Sequence, residues 1–162
     1  MARSCWSRKG EERSDKAPGE NSRINLALIG LDLKKCPDVI LAAYNDKRGI
    51  TKRFNLNLLE RINRELNANF NTGQFEHFPV YDQLSAACKS YLISLVDQQV
   101  TLWCNGGEQR IRFVRNEEIF MEISQKYRID QVHQLAGDAF FRPVRQFCDD
   151  RGWFVDALWC AV

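Results

Sequence analysis

The chain has 162 residues, 44% hydrophobic and 27% charged, which are ordinary globular values and exclude a wholly disordered chain. Its net charge is +2; six Lys/Arg and four Asp/Glu fall in residues 1–23, leaving 17 of each sign elsewhere and no basic stripe for a nucleic acid. No apolar run approaches the roughly 18–20 residues of a membrane span and no apolar signal core opens the chain, so the reading is cytoplasmic.

Residues 1–23 are polar, rich in Ser, Gly and charge, and without period, which predicts a disordered tail. The apolar run "INLALIGLDL" (24–33) then reads as a strand buried on both faces, as in a parallel sheet. Pro37 suits the first turn of a helix over "CPDVILAAYN". Thr51 is the expected N-cap of a second helix, with Phe54, Leu58, Ile62 and Leu66 recurring every four residues as its core stripe and Leu59 beside them. Residues 75–127 read as β-rich: "FEHFPVYD", "KSYLISLVDQQVTLWC", "QRIRFV" and "EIFMEISQKY" are strand-like, and "NGGE" (105–108) is a hairpin turn. Asp130 is the expected cap of a helix through Ala139, with Ile129, Val132, Leu135, Ala136 and Ala139 inward. The hairpin "FRPVRQFC", "DDRG", "WFVDALWCAV" closes the chain, its last strand buried within a sheet. The order suggests the second half of an α/β sheet with a separate unit inserted between its strands.

Few residues stand out as chemistry. Alternation along a strand places Glu122 and Ser124 on one face and Met121 and Ile123 on the other. That pair is either an ordinary solvated face or a clamp for a small heterocycle such as imidazole: a carboxylate takes the ring N–H, and a hydroxyl serves the other nitrogen. Tyr44 either packs at a helix end or offers its hydroxyl to a ligand, and Phe54 reads as core. His77 and His133 lack a visible acid or nucleophile partner and read as structural or surface residues. Six scattered cysteines without a C-x-x-C pair predict no metal site, and the nine glycines form no phosphate or dinucleotide cradle.

The stretch "AAYNDKRGITKRFNLNLLERINRELNANFNTGQFEH" (42–77) carries A-Y-[DN]-D, G-[VI]-T, F-N-x-N-[LV]-L, N-R-E-L and F-E-H in order. With "LIGLDLKK" (28–35), "EISQKY" (122–127) and "RGWF" (151–154), it resembles the histidine-specific, S-adenosylmethionine-dependent methyltransferase family, to which the L-histidine Nα-methyltransferase activity of ergothioneine biosynthesis belongs. The resemblance covers about residues 26–162. It implies the C-terminal portion of a Rossmann-like class I methyltransferase (24–162), with an inserted α+β substrate-binding unit at 35–124 and a closing helix and β-hairpin at 125–162. By that resemblance Tyr44 contacts the amino-acid end of histidine, Glu122 and Ser124 hold its imidazole, and Phe54 lines the pocket. Ser90 stands where a pocket methionine is common, which would loosen apolar contact.

The implied cofactor is S-adenosylmethionine, whose binding loop falls before the resemblance begins. The implied reaction is methyl transfer to the α-amino nitrogen of histidine, with this chain expected to be truncated and inactive alone. The alternative expectation is a non-catalytic binding module that pairs with a separate chain carrying the cofactor-binding half.

Overall fold

A computed structural model describes residues 25–162, so the expected tail at 1–23 lies outside the described residues. The fold is mixed α/β, mostly strands in small antiparallel sheets. Its elements are β1 (Leu26–Asp32), α1 (Pro37–Tyr44), α2 (Ile50–Glu65), a 3-10 turn (Thr72–Gln74), β2 (Phe75–Asp82), β3 (Ala87–Ser94), β4 (Gln98–Cys104), β5 (Gly107–Phe113), β6 (Glu118–Gln125), α3 (Ile129–Asp138), β7 (Phe141–Cys148) and β8 (Phe154–Ala161). The chain divides into two compact units, one of residues 25–35 with 126–162, the other of residues 36–125. Among the described residues no helix is long and apolar enough to cross a membrane.

The first unit is a sheet of order β1-β8-β7, antiparallel throughout. Its core joins Leu31 and Leu33 to Val132 and Ala136 of α3 and to Val155, Ala157 and Trp159 of β8. The expectation for β1 is corrected here. It pairs antiparallel with β8, and alternation turns Ile29 and Leu31 toward the core while Leu26 and Leu28 stay 57% and 67% exposed. β8 is central in the sheet, yet it too has one buried face, with Phe154 outside. Gly30 lets the Phe154 ring lie close over β1: a Cβ there would come within 2.7 Å of the ring, which would have to shift.

Helix α3 starts two residues earlier than its acid suggested. Arg128 is the N-cap, its backbone N–H donating to Gln131 Oε1 at 2.9 Å, while Asp130 instead pairs with the Arg128 guanidinium. Val132 and Ala136 are buried, but Leu135 and Ala139 are not, because the sheet covers a narrower stripe than the apolar pattern offers. Fully buried Lys126 is held by Asp32 at 2.6 Å, and Lys35 engages the same carboxylate. Both lysines hold the Asp32 carboxyl below the usual range against the opposing effect of its burial, the largest single influence.

The second unit pairs a three-stranded sheet, β2-β3-β6, with the β4–β5 hairpin. Asn105 (φ 52°) and Gly106 (φ 79°) form the hairpin turn, a left-handed pair suited to Asn-Gly. Leu59 of α2 packs with Phe70, Phe75, Leu92, Val100 and Phe113, and the Phe75 ring meets Phe113 edge-on at 5.6 Å.

Two expectations for α2 fail. The cap is not Thr51: Gly49 takes the N-cap position with φ 65°, and the Asp46 carboxylate accepts from the backbone N–H groups of Ile50 (2.9 Å) and Thr51 (2.8 Å). Those bonds lower the Asp46 pKa to about 2. The inward stripe is also rotated. Phe54, Leu58 and Leu66 are exposed, whereas Asn55 and Leu59 are buried and Leu56 and Ile62 pack on the core. The helix carries apolar residues around much of its circumference, so its period alone does not choose the buried side.

Candidate functional site

The site lies within the second unit, where one end of the inner sheet face turns polar. On β3, Cys88, Ser90, Leu92 and Ser94 are buried in alternation. Their cross-strand partners on β2 are Tyr81, Pro79, His77 and Phe75, and on β6 the pairs are Cys88↔Ser124, Ser90↔Glu122 and Leu92↔Ile119. Between Ser90 and Tyr91 the register shifts, because Tyr91 pairs with Phe120 and leaves Met121 as the extra residue of a β-bulge.

That bulge decides which side chains share the face. Strict alternation would set Met121 beside Ile123, but Met121 packs on the core with Ile119, while Ile123 is 56% exposed. After the bulge, Glu122 and Ser124 run on the face of Ser90 and Cys88. Glu122 and Ser124 do therefore share a side, and Met121 joins Glu122 rather than opposing it.

Helix α2 completes the polar end with Asn55, only 3% exposed. Its side-chain amide donates to the Thr51 carbonyl at 3.1 Å and to Glu122 Oε1 at 3.3 Å, and lies 3.4 Å from His77 Nε2. Burial, first, pushes the His77 pKa down, and the nearby Glu122 carboxylate only partly opposes it. The neutral imidazole presents Nε2 to the Asn55 amide, whose two hydrogens are shared among this nitrogen, the Thr51 carbonyl and Glu122. Ser90 is fully buried, and its Oγ has no hydrogen-bond partner among the described residues.

Beside this cluster a shallow cavity of about 200 Å³ opens between α2 and β6. Phe54, Leu58 and Met121 give it apolar walls, Asn55 and Glu122 supply an amide and a carboxylate, and Asn57 and Arg61 stand at its side. A second hollow, about 450 Å³, continues past Phe54 and Asn57 to Arg53 and Glu60. Phe54, which the sequence reading put in the core, is 68% exposed and forms the wall between the two.

The structure thus brings Phe54 and Glu122 together. Tyr44, half-buried at the C-terminal end of α1, and Ser124, one register pair beyond Glu122, are not on the cavity lining. Ser90 is buried behind it and not part of the wall. The sequence reading did not single out Asn55 and took His77 as a structural or surface residue; the structure buries both beside Glu122. The signal for Asn55 was a polar residue four positions before Leu59, on the side of the helix that turned out to be buried.

An acid and an amide set beside apolar walls suit a small ligand that carries both a ring and a polar N–H. Comparison with known proteins narrows the class. Residues 16–161 match the family described as histidine-specific methyltransferase, SAM-dependent. The chain is 32% identical over 127 residues to a histidine N-alpha-methyltransferase of Mycolicibacterium smegmatis, covering 78% of this chain and 39% of that protein. It is 30% identical over 137 residues to a histidine N-alpha-methyltransferase of Mycobacterium tuberculosis, with the same two coverages. The chain belongs to the histidine-specific, S-adenosylmethionine-dependent methyltransferase family. It spans about 39% of the length of these relatives.

Proposed function

We propose that this chain supplies the histidine-holding part of a methyltransferase that moves methyl groups from S-adenosylmethionine to the α-amino nitrogen of L-histidine. The observation that carries this reading is the Glu122 carboxylate on the wall of an apolar cavity, anchored at 3.3 Å by the buried amide of Asn55. In this reading Glu122 accepts the imidazole N–H and Phe54 covers the ring, while Ser124 and Tyr44, which lie off the cavity lining, are assigned the other ring nitrogen and the amino-acid end by the family resemblance alone. A carboxylate with a hydroxyl suits imidazole better than indole, which has a donor but no ring acceptor.

We read the β1-β8-β7 sheet with α3 as the closing part of a Rossmann-like sheet and residues 35–124 as the inserted substrate-binding unit. The division of the chain near residues 35 and 125 supports that reading. S-adenosylmethionine supplies an electrophilic methyl carbon in this family's chemistry. The described residues do not fit it. Gly30 lies under Phe154, Gly106 and Gly107 turn a hairpin, and no described strand passes through a glycine-rich turn into a helix. What the chain's own residues contribute is binding and alignment of the amino acid.

The test is a titration of the chain with L-histidine, L-tryptophan and L-leucine, followed by NMR shifts of backbone amides in β6 and α2. The reading predicts saturable shifts around Glu122 and Asn55 with histidine and much weaker ones with the other two. Equal responses to all three would overturn it.

A further inference from the structure

The outer face of the β2-β3-β6 sheet is as informative as the inner one. Helix α2 covers the inner side through the Leu59 core. On the outer side, cross-strand pairing lines up Phe78, Tyr91 and Phe120 in one row, with the Tyr91 and Phe120 rings 5.8 Å apart. The next row toward one end of the strands is Val80, Lys89 and Ile123; the next toward the other end is Glu76, Ile93 and Glu118. Phe78, Phe120 and Ile123 are each more than half exposed. Isolated exposed apolar residues need no explanation, but an adjoining set of aromatic and aliphatic side chains on one sheet face does.

We propose that this face is an interface between two copies of the chain, stacked sheet on sheet about a two-fold axis along the Phe78–Tyr91–Phe120 row. The charges choose the axis. An axis along the strands would lay Glu76 over the partner copy's Glu118, carboxylate against carboxylate. An axis along the aromatic row reverses the strand direction instead. It lays the Lys89 row of each copy over the Glu76–Ile93–Glu118 row of the other, and every aromatic ring over its counterpart's row. Within one copy Glu76 is already held by Lys52 at 2.8 Å, and Lys89 feels Asp82. Glu118 is exposed and has no ion-pair partner among the described residues, so it is the acid that Lys89 of the other copy meets.

The area sets the strength. Three strands at about 4.8 Å spacing and eight residues at about 3.3 Å rise give a plan of roughly 14 by 26 Å. That is smaller than the about 800 Å² per partner of a standard tight complex, so the dimer is weak and concentration-dependent.

The experiment is sedimentation equilibrium of the full chain up to about 300 µM, a range suited to weak dimers. The wild type dimerises reversibly, and Phe120→Glu weakens this at least about tenfold by placing a carboxylate in the aromatic row. Lys89→Glu and Glu118→Lys each weaken it about tenfold, since each change acts at two symmetry-related pairs, and the double variant Lys89→Glu/Glu118→Lys restores it. Circular dichroism of each variant controls for folding. A wild type that stays monomeric over the whole range overturns the proposal. So does a dimer indifferent to Phe120→Glu, or a double variant no tighter than the single ones.

Discussion

The rotation of α2 about its axis puts Asn55 beside Glu122, and two adjacent leucines test it. Leu59 is 2% exposed in the core and Leu58 is 42% exposed on the cavity wall. Truncating Leu59 to Ala removes three buried carbons, about 2.4 kcal/mol of transfer free energy at about 0.8 per carbon. The void left among Phe75, Leu92 and Phe113 raises the expected cost to about 3–4 kcal/mol. At Leu58 roughly half of that transfer applies and no enclosed void forms, so the cost is about 1 kcal/mol. The difference of about 2 kcal/mol separates the urea midpoints by about 1 M for a slope near 2 kcal/mol/M. Far-UV circular dichroism during urea titration of both variants reads this directly. Equal midpoints, or a costlier Leu58→Ala, would restore the Phe54–Leu58–Ile62–Leu66 stripe to the core and take Asn55 out of the site.

Three further outcomes follow from the same structure. Because burial lowers the His77 pKa below its ordinary 6.5, the unfolded chain takes up that proton first. Stability is then complete above about pH 6.5 and declines as pH falls through the folded value, a slope that His77→Gln should flatten in pH-dependent denaturation. Asp46, lowered to about 2 by the Ile50 and Thr51 amides, contributes stability that is present above 3.8 and lost as pH falls toward 2; Asp46→Ala should lower the urea midpoint, while Asp46→Asn should keep part of the cap. Gly106→Ala, at φ 79°, should cost about 1–2 kcal/mol without changing the circular dichroism of the folded chain.

Local chemistry was the readable part of this sequence. The bounds of β2 follow from "FEHFPVYD", and the Asn105-Gly106 turn follows from its dipeptide, since both are set by nearby residues. Pro37 sits at the first turn of α1 for the same reason. What could not be read depends on partners distant in sequence. Whether Phe54 or Asn55 faces inward is decided by His77 and Glu122, which lie 22 and 67 residues away from Asn55. The bulge at Met121 exists only against Tyr91 and Ser90 on β3, and alternation along β6 cannot reveal it. The exposure of Leu26 and Leu28 likewise depends on which side of β1 carries α3, not on the apolar run itself. At the site, Glu122 and Phe54 were readable as residues, but the amide that orients the acid was hidden in the helix phase.

The most direct test of the central claim is calorimetric titration of L-histidine into the wild-type chain and into Glu122→Ala. If the carboxylate on the cavity wall accepts the imidazole N–H, the variant loses about 1.5–3 kcal/mol of binding, roughly a 10- to 150-fold weaker affinity. An unchanged affinity would return Glu122 to an ordinary residue of a solvated sheet face and contradict the account.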